Sequence, residues 1–265
     1  MAVRHLRRLT VEADGDRMLY DHPEIYDALF HPEGHLAHYA ALAERHPGAV
    51  LELACGSGQL TVPLAQHDRA VVGIDLSRPM LAVAEQRATA AGVTVEFLEA
   101  DMRTFDLGRQ FALVFIARNS LLHLGTTEDF IATFAAVRRH LAPGGVFAFD
   151  VFNPDVRMLA QSAGERAFVM RAPSERYGEL VVEATSDYDA ATQVNRATWY
   201  ISSPGHPDAW VTPLHLRSIF PQELPVLLAA GGFRLVSRSG DLTGEAFASG
   251  SPRQVCICEA TDASE

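Results

Sequence analysis

The sequence predicts a doubly wound α/β fold: a mostly parallel seven-stranded sheet with an inserted antiparallel β lid. Three observations predict it. Short apolar runs alternate with helical stretches between residues 49 and 151. A glycine turn, Gly56-Ser57-Gly58, follows the first of these runs. From about residue 165, strand-forming segments succeed one another with no helix between them. Parallel strands need crossover connections, so repeated strand–helix units imply a parallel sheet covered on both faces.

The elements follow in order. Residues 4–9 read as a short strand or arm, 23–30 as a helix with Pro23 at its first position, and 34–46 as a second helix stopped by Pro47-Gly48. Strands are expected at 49–54, 70–75, 94–99, 111–117 and 146–151. The run at 111–117, FALVFIA, is apolar throughout, as a strand covered on both faces should be. Helices are expected at 60–66, 79–91 (closed by Gly92) and 127–141, with Pro143-Gly144-Gly145 as the last terminator. Segments 168–171, 179–188, 195–202 and 211–220 are rich in strand formers and read as the insertion. A helix at 222–230 and strands at 234–238 and 254–259 close the chain. The insertion enters after the fifth strand, at the carboxyl edge where open α/β sheets bind ligands.

Composition narrows the function. Of 265 residues, 48% are hydrophobic and 21% charged, the balance of a folded globular protein. A net charge of −11 disfavours a nucleic-acid partner, which needs a concentrated basic surface. The three cysteines, Cys55, Cys256 and Cys258, form no Cys-x-x-Cys pair, so neither a disulfide framework nor a metal site is expected. Arg4, Arg7 and Arg8 precede acidic residues rather than an apolar segment, and no run is long enough to span a bilayer. A cytoplasmic location without membrane attachment is the expectation.

Three segments carry the chemistry. Glycines at 56 and 58 let the backbone approach a ligand. Position 61 is Thr, so the third glycine of a dinucleotide fingerprint is missing, and Glu52 stands four residues before the first glycine. Asp75, at the end of the second strand, can accept the hydroxyls of a ribose, although Ser77 is the better helix cap. Asp101 can accept from an adenine amino group with Met102 on the ring, or be a solvated loop acid.

The segments E-x-A-C-G-x-G (52–58), G-I-D-L-S-x-x-M-L (73–81) and E-A-D-M (99–102) occur in order. Together they resemble the class I S-adenosylmethionine-dependent methyltransferases, over about residues 20–155 and 218–260. The chain is most similar to the bacterial small-molecule subgroup with an antiparallel lid. The resemblance implies that Gly56 and Gly58 face the methionyl part, Asp75 the ribose, and Asp101 with Met102 the adenine. Ala117 lies near the cofactor, and Glu52, Ala54, Cys55, Leu76, Met80 and Arg118 complete the expected binding set. It implies three regions: an N-terminal arm and lid helices (1–46), the cofactor domain (47–160 and 218–265), and the lid (161–217).

The implied reaction is in-line transfer of a methyl group to nitrogen or oxygen of a small-molecule acceptor, yielding S-adenosylhomocysteine without a metal. Catalytic candidates are His123 and Asn119, in the loop after the fourth strand, and Tyr26. His123 is read as general base or acceptor partner, because imidazole titrates near neutrality, or as a packing residue. Tyr26 is equally a core residue of an amphipathic helix. Tyr20, Asn153, Arg217 and Trp199 are candidates for holding the acceptor, with a surface ion pair the other reading of Arg217. Three alternatives stand beside this: a tRNA or other nucleic-acid methyltransferase, a dinucleotide-dependent oxidoreductase, and a non-catalytic S-adenosylmethionine-binding protein. Oligomeric state is open, a homodimer included.

Overall fold

The computed structural model describes residues 19–66, 69–161 and 163–261; the arm expected at 4–9 lies outside them. The chain divides into two units, Pro32–Pro154 with Arg217–Glu265, and Met1–His31 with Asp155–Leu216.

The first of these holds a seven-stranded sheet. Its strands are β1 (Val50–Leu53), β2 (Val71–Asp75), β3 (Glu96–Glu99), β4 (Phe111–Ile116), β5 (Leu141–Phe152), β10 (Phe233–Ser239) and β11 (Arg253–Ala260). Their order is β10-β11-β5-β4-β1-β2-β3. Strands β1 to β5 are parallel, whereas β11 runs antiparallel to both β5 and β10. The helices are α2 (Glu33–Arg45), α3 (Thr61–Ala65), α4 (Arg78–Ala91), α5 (Thr127–Arg139) and α7 (Leu224–Ala230). β1 and β4 occupy the middle and are almost wholly buried. Tyr39 of α2 stacks on Phe115 with ring centroids 4.3 Å apart, in a cluster with Leu42, Val50, Leu64 and Leu113. Phe134 of α5 meets Phe147 and Phe233 edge-on, at 5.8 and 6.1 Å.

The helix ends follow local chemistry. Ser77 caps α4, accepting the Met80 N–H, and Gly92 closes it in the left-handed conformation at φ 68°. Thr126 caps α5 by accepting the Asp129 N–H, with acidic residues in its first turn and Arg138 and Arg139 in its last. The Pro143-Gly144-Gly145 segment differs from expectation. α5 ends earlier, at Arg139, and β5 already begins at Leu141. The three residues form an irregularity inside β5, where the pairing with β4 jumps from Phe111↔Leu141 to Leu113↔Val146. Glycine suits it: Gly144 has φ 75°, and a Cβ on Gly145 would meet two carbonyl oxygens at 2.9 Å.

The second unit is the inserted antiparallel sheet, in the order β6-β7-β8-β9, with helix α1 (Pro23–Leu29) and the short α6 (Val156–Leu159). Its strands are β6 (Ala167–Ser174), β7 (Gly178–Asp189), β8 (Val194–Ser203) and β9 (His206–Arg217). The last begins five residues before the expected 211, because Pro204-Gly205 alone makes the turn. Leu19, Ile25 and Leu29 pack with Leu180, Val182, Ile201 and Trp210 as its core.

Candidate functional site at the carboxyl edge of the parallel sheet

The carboxyl ends of β1, β2 and β4 share one edge because these strands are parallel neighbours. The β1 end turns sharply through Ala54 at φ 55°, Gly56 at 55° and Gly58 at 75°. The two glycines do different work. A Cβ on Gly56 would meet nothing within 4 Å, whereas one on Gly58 would sit 2.9 Å from the Ala84 Cβ of α4. Gly58 thus lets α4 approach the turn, and Gly56 leaves an open floor.

Asp75 ends β2 and braces both adjoining loops. Its Oδ2 accepts the Gly56 N–H at 2.7 Å and its Oδ1 the Ser77 N–H at 2.8 Å. Burial pushes its carboxyl up, against these hydrogen bonds. Each oxygen still has acceptor capacity after one backbone bond. Leu76, next in the chain, is exposed, while Met80 is buried in the core.

Beneath the turn, buried Glu52 accepts a hydrogen bond from the Thr61 hydroxyl. Burial pushes the Glu52 carboxyl up to about 8, against the pull of Thr61 and of the Arg118 charge. Thr61 stands where a dinucleotide fingerprint has glycine, so the departure in sequence has a structural purpose. Cys55 is buried with its Sγ against Gly73, a packing position.

After β3, Asp101 turns its carboxylate onto Arg103, whose Nε and Nη2 lie at 3.0 and 2.6 Å. Arg103 holds the Asp101 carboxyl below its ordinary range and also reaches Asp129 at 3.0 Å. This clamp has no precedent in the sequence reading. Met102 beside it is half-buried.

After β4, buried Ala117 leads into two left-handed residues, Arg118 at φ 56° and Asn119 at 67°. Three bonds fix them to β5. Asp150 Oδ1 accepts the Arg118 N–H at 3.0 Å, the Asp150 carbonyl accepts the Asn119 N–H at 3.1 Å, and Asn119 Oδ1 accepts the Phe152 N–H at 2.7 Å. Asp150 is fully buried and also meets Tyr39 Oη at 2.9 Å, His35 Nε2 at 3.2 Å and Arg253 Nη1 at 2.7 Å. Burial alone would raise its carboxyl, but His35 and Arg253 hold it below its ordinary value. His123 follows, half-buried, in a 3-10 turn at Ser120–His123.

The other expected residues make contacts of their own. Asn153 donates to the Ser251 carbonyl at 2.9 Å. Arg217 is buried, with Nη2 2.7 Å from Glu223 and its guanidinium over Phe130. Tyr20, Tyr26, Phe30 and Trp199 form an aromatic row in the other unit, with successive centroids 5.8, 4.7 and 6.2 Å apart. A cleft of about 470 Å³ lined by Asp106, Arg109, Arg139 and His140 opens where β4 begins, away from the glycine turn. Both ring nitrogens of His140 are engaged there, by Ala136 and Leu107. Among the described residues, no group of three or more His, Cys, Asp or Glu is placed to hold a metal, and no helix is long and apolar enough to cross a membrane.

Residues 50–145 match the model of a methyltransferase domain. The whole architecture matches the CcbJ methyltransferase from Streptomyces caelestis, with a TM-score of 0.78 and 26% identity, covering 93% of this chain and 100% of that one. The chain carries a methyltransferase domain over residues 50–145 and is similar to the class I S-adenosylmethionine-dependent methyltransferases. It is 42% identical over 115 residues to the methyltransferase YqeM of Bacillus subtilis (strain 168), which covers 43% of this chain and 45% of that protein. The chain therefore spans about half the length of some curated relatives that it matches. It is 27% identical over 244 residues to the dTDP-3-amino-3,4,6-trideoxy-alpha-D-glucopyranose N,N-dimethyltransferase of Streptomyces venezuelae, covering 88% of this chain and 98% of that one.

The family's cofactor fits the residues at this edge. The open floor at Gly56 suits a ligand that approaches the backbone, and Asp75 keeps lone pairs for ribose hydroxyls. Arg118 adds two buried guanidinium nitrogens, Nε and Nη2, without hydrogen-bond partners among the described residues. Sequence reasoning missed Asp150, His35, Tyr39 and Arg253, which share no motif.

Proposed function

We propose that this protein transfers a methyl group from S-adenosylmethionine to an amine of a small molecule. The observation that carries the reading is the glycine turn braced by Asp75, with an open Gly56 and a buried acid beneath it. The amine as acceptor is supported by the Streptomyces venezuelae relative, an N,N-dimethyltransferase that this chain matches over 98% of its length. Glu52, Ala54, Gly56, Gly58, Asp75, Leu76, Asp101, Met102 and Ala117 are assigned to cofactor binding.

The bound cofactor supplies a methyl group already activated on a sulfonium. The chain's own task is to hold the acceptor in line, exclude water and accept a proton. His123 is assigned the proton. Asn119, with Oδ1 committed to the Phe152 N–H, is assigned to holding the loop that carries His123. Tyr20, Tyr26 and Trp199 are assigned to acceptor selectivity, and Arg217, committed to Glu223, is not. Three free cysteines support the cytoplasm as the compartment.

Calorimetric titration with S-adenosylhomocysteine tests the reading. Micromolar binding that Asp75→Ala weakens at least about 10-fold supports it. No binding to the folded wild-type protein overturns it.

A further inference from the structure

Two consecutive non-glycine residues in the left-handed region are rare, and Arg has no side-chain means of easing that conformation. At Arg118 and Asn119 three hydrogen bonds to Asp150 and Phe152 impose it. Such imposed strain gathers at ligand sites. Its effect here is to leave the Arg118 Nε and Nη2 buried with no acceptor among the described residues. Arg cannot lose its proton to escape the cost of unpaired buried donors.

Buried Glu52, whose carboxyl the Arg118 charge influences, is not the missing partner. The Glu52 carboxyl takes the Thr61 hydroxyl, and it feels Arg118 only as a charge. A planar fork of donors matches a carboxylate best. Two sources could bring one: the amino-acid end of the cofactor, or an acidic acceptor. Position decides between them. Ile116 at the end of β4 pairs with Leu53 at the end of β1, so Arg118 follows β4 beside the start of the glycine turn.

We propose that the Arg118 guanidinium binds the α-carboxylate of S-adenosylmethionine. The inference rests on the cofactor reading above and adds the residue that recognises the charged end.

The experiment compares two ligands on the full chain: S-adenosylhomocysteine, and its decarboxylated analogue, which keeps the amine and lacks the carboxylate. Arg118→Met is expected to weaken S-adenosylhomocysteine about 10- to 100-fold and the analogue less than about 3-fold. The unliganded variant should melt no lower than wild type, since two buried donors without acceptors among the described residues have gone. Equal losses for both ligands, or no loss for either, overturn the proposal. So does an unchanged cofactor affinity with a lost response to an acidic acceptor, which would move the carboxylate to that source. If Arg118→Met does not fold, Arg118→Lys keeps the charge, loses the fork, and must show the same selective loss. A wild-type chain that binds neither ligand removes the cofactor reading itself, a distinct result.

Discussion

The Thr61 hydroxyl donates to the Glu52 carboxyl, sealing a buried acid beneath the glycine turn. The pair makes the site sensitive to pH. With its carboxyl pushed from 4.5 to about 8, Glu52 keeps a proton in the folded chain that it loses on unfolding. Its contribution to stability is therefore complete below pH 4.5 and is lost as pH rises through 8. Glu52→Gln stays neutral and should flatten this slope, gaining on wild type at pH 9 but not at pH 5. Urea unfolding at the two values checks it; parallel profiles would refute it.

The two glycines should separate cleanly. Gly58→Ala meets Ala84 at 2.9 Å and adopts φ 75°, so it should cost about 2–4 kcal/mol of stability. Gly56→Ala carries only the left-handed strain, about 1 kcal/mol, yet should lower S-adenosylhomocysteine affinity by about 10-fold or more. Thermal melts and titration on both variants read the contrast.

Asp150 holds one guanidinium, one imidazole, one phenol and the Arg118 N–H, with no exposure. Asp150→Ala should cost about 3–5 kcal/mol, because it strands buried partners. Asp150→Asn should recover part of this, since its carbonyl oxygen can still accept the Arg118 N–H. Denaturant midpoints of the two variants test the order.

His123→Asn should lower kcat at least about 100-fold with little change in KM if the imidazole takes the acceptor proton. The fall should be smaller at pH 9, where a larger share of acceptor amine is already neutral. A drop of only a few-fold at pH 7 would assign His123 to packing.

Much of the fold and part of the site could be read from sequence because their signals are local. The run 111–117 is apolar along its length, and the glycines at 56 and 58 sit directly after a strand. Ser77 and Gly92 bracket α4 within a single element. Asp150 could not be read this way. Its partners His35, Tyr39 and Arg253 lie 115, 111 and 103 residues away, and only the pairing of β5 with β11 and the packing of α2 on the sheet bring them together. Pro143-Gly144-Gly145 misled for the opposite reason. Its local chemistry is that of a helix stop, but pairing with β4 absorbs the three residues into β5. The Arg103 clamp on Asp101 escaped notice because two residues of separation in a loop carry no period.

The inserted sheet has a core that is not contiguous in the chain. Ile25 and Leu29 of α1 pack with Leu180, Val182 and Ile201, so this helix has to wait for about 150 further residues before its apolar face is covered. During synthesis β1 to β5 emerge first, leaving α1 as an exposed amphipathic segment in the meantime. A chain translated slowly, or released before β8 is made, would present Ile25 and Leu29 to chaperones rather than to β7 and β8.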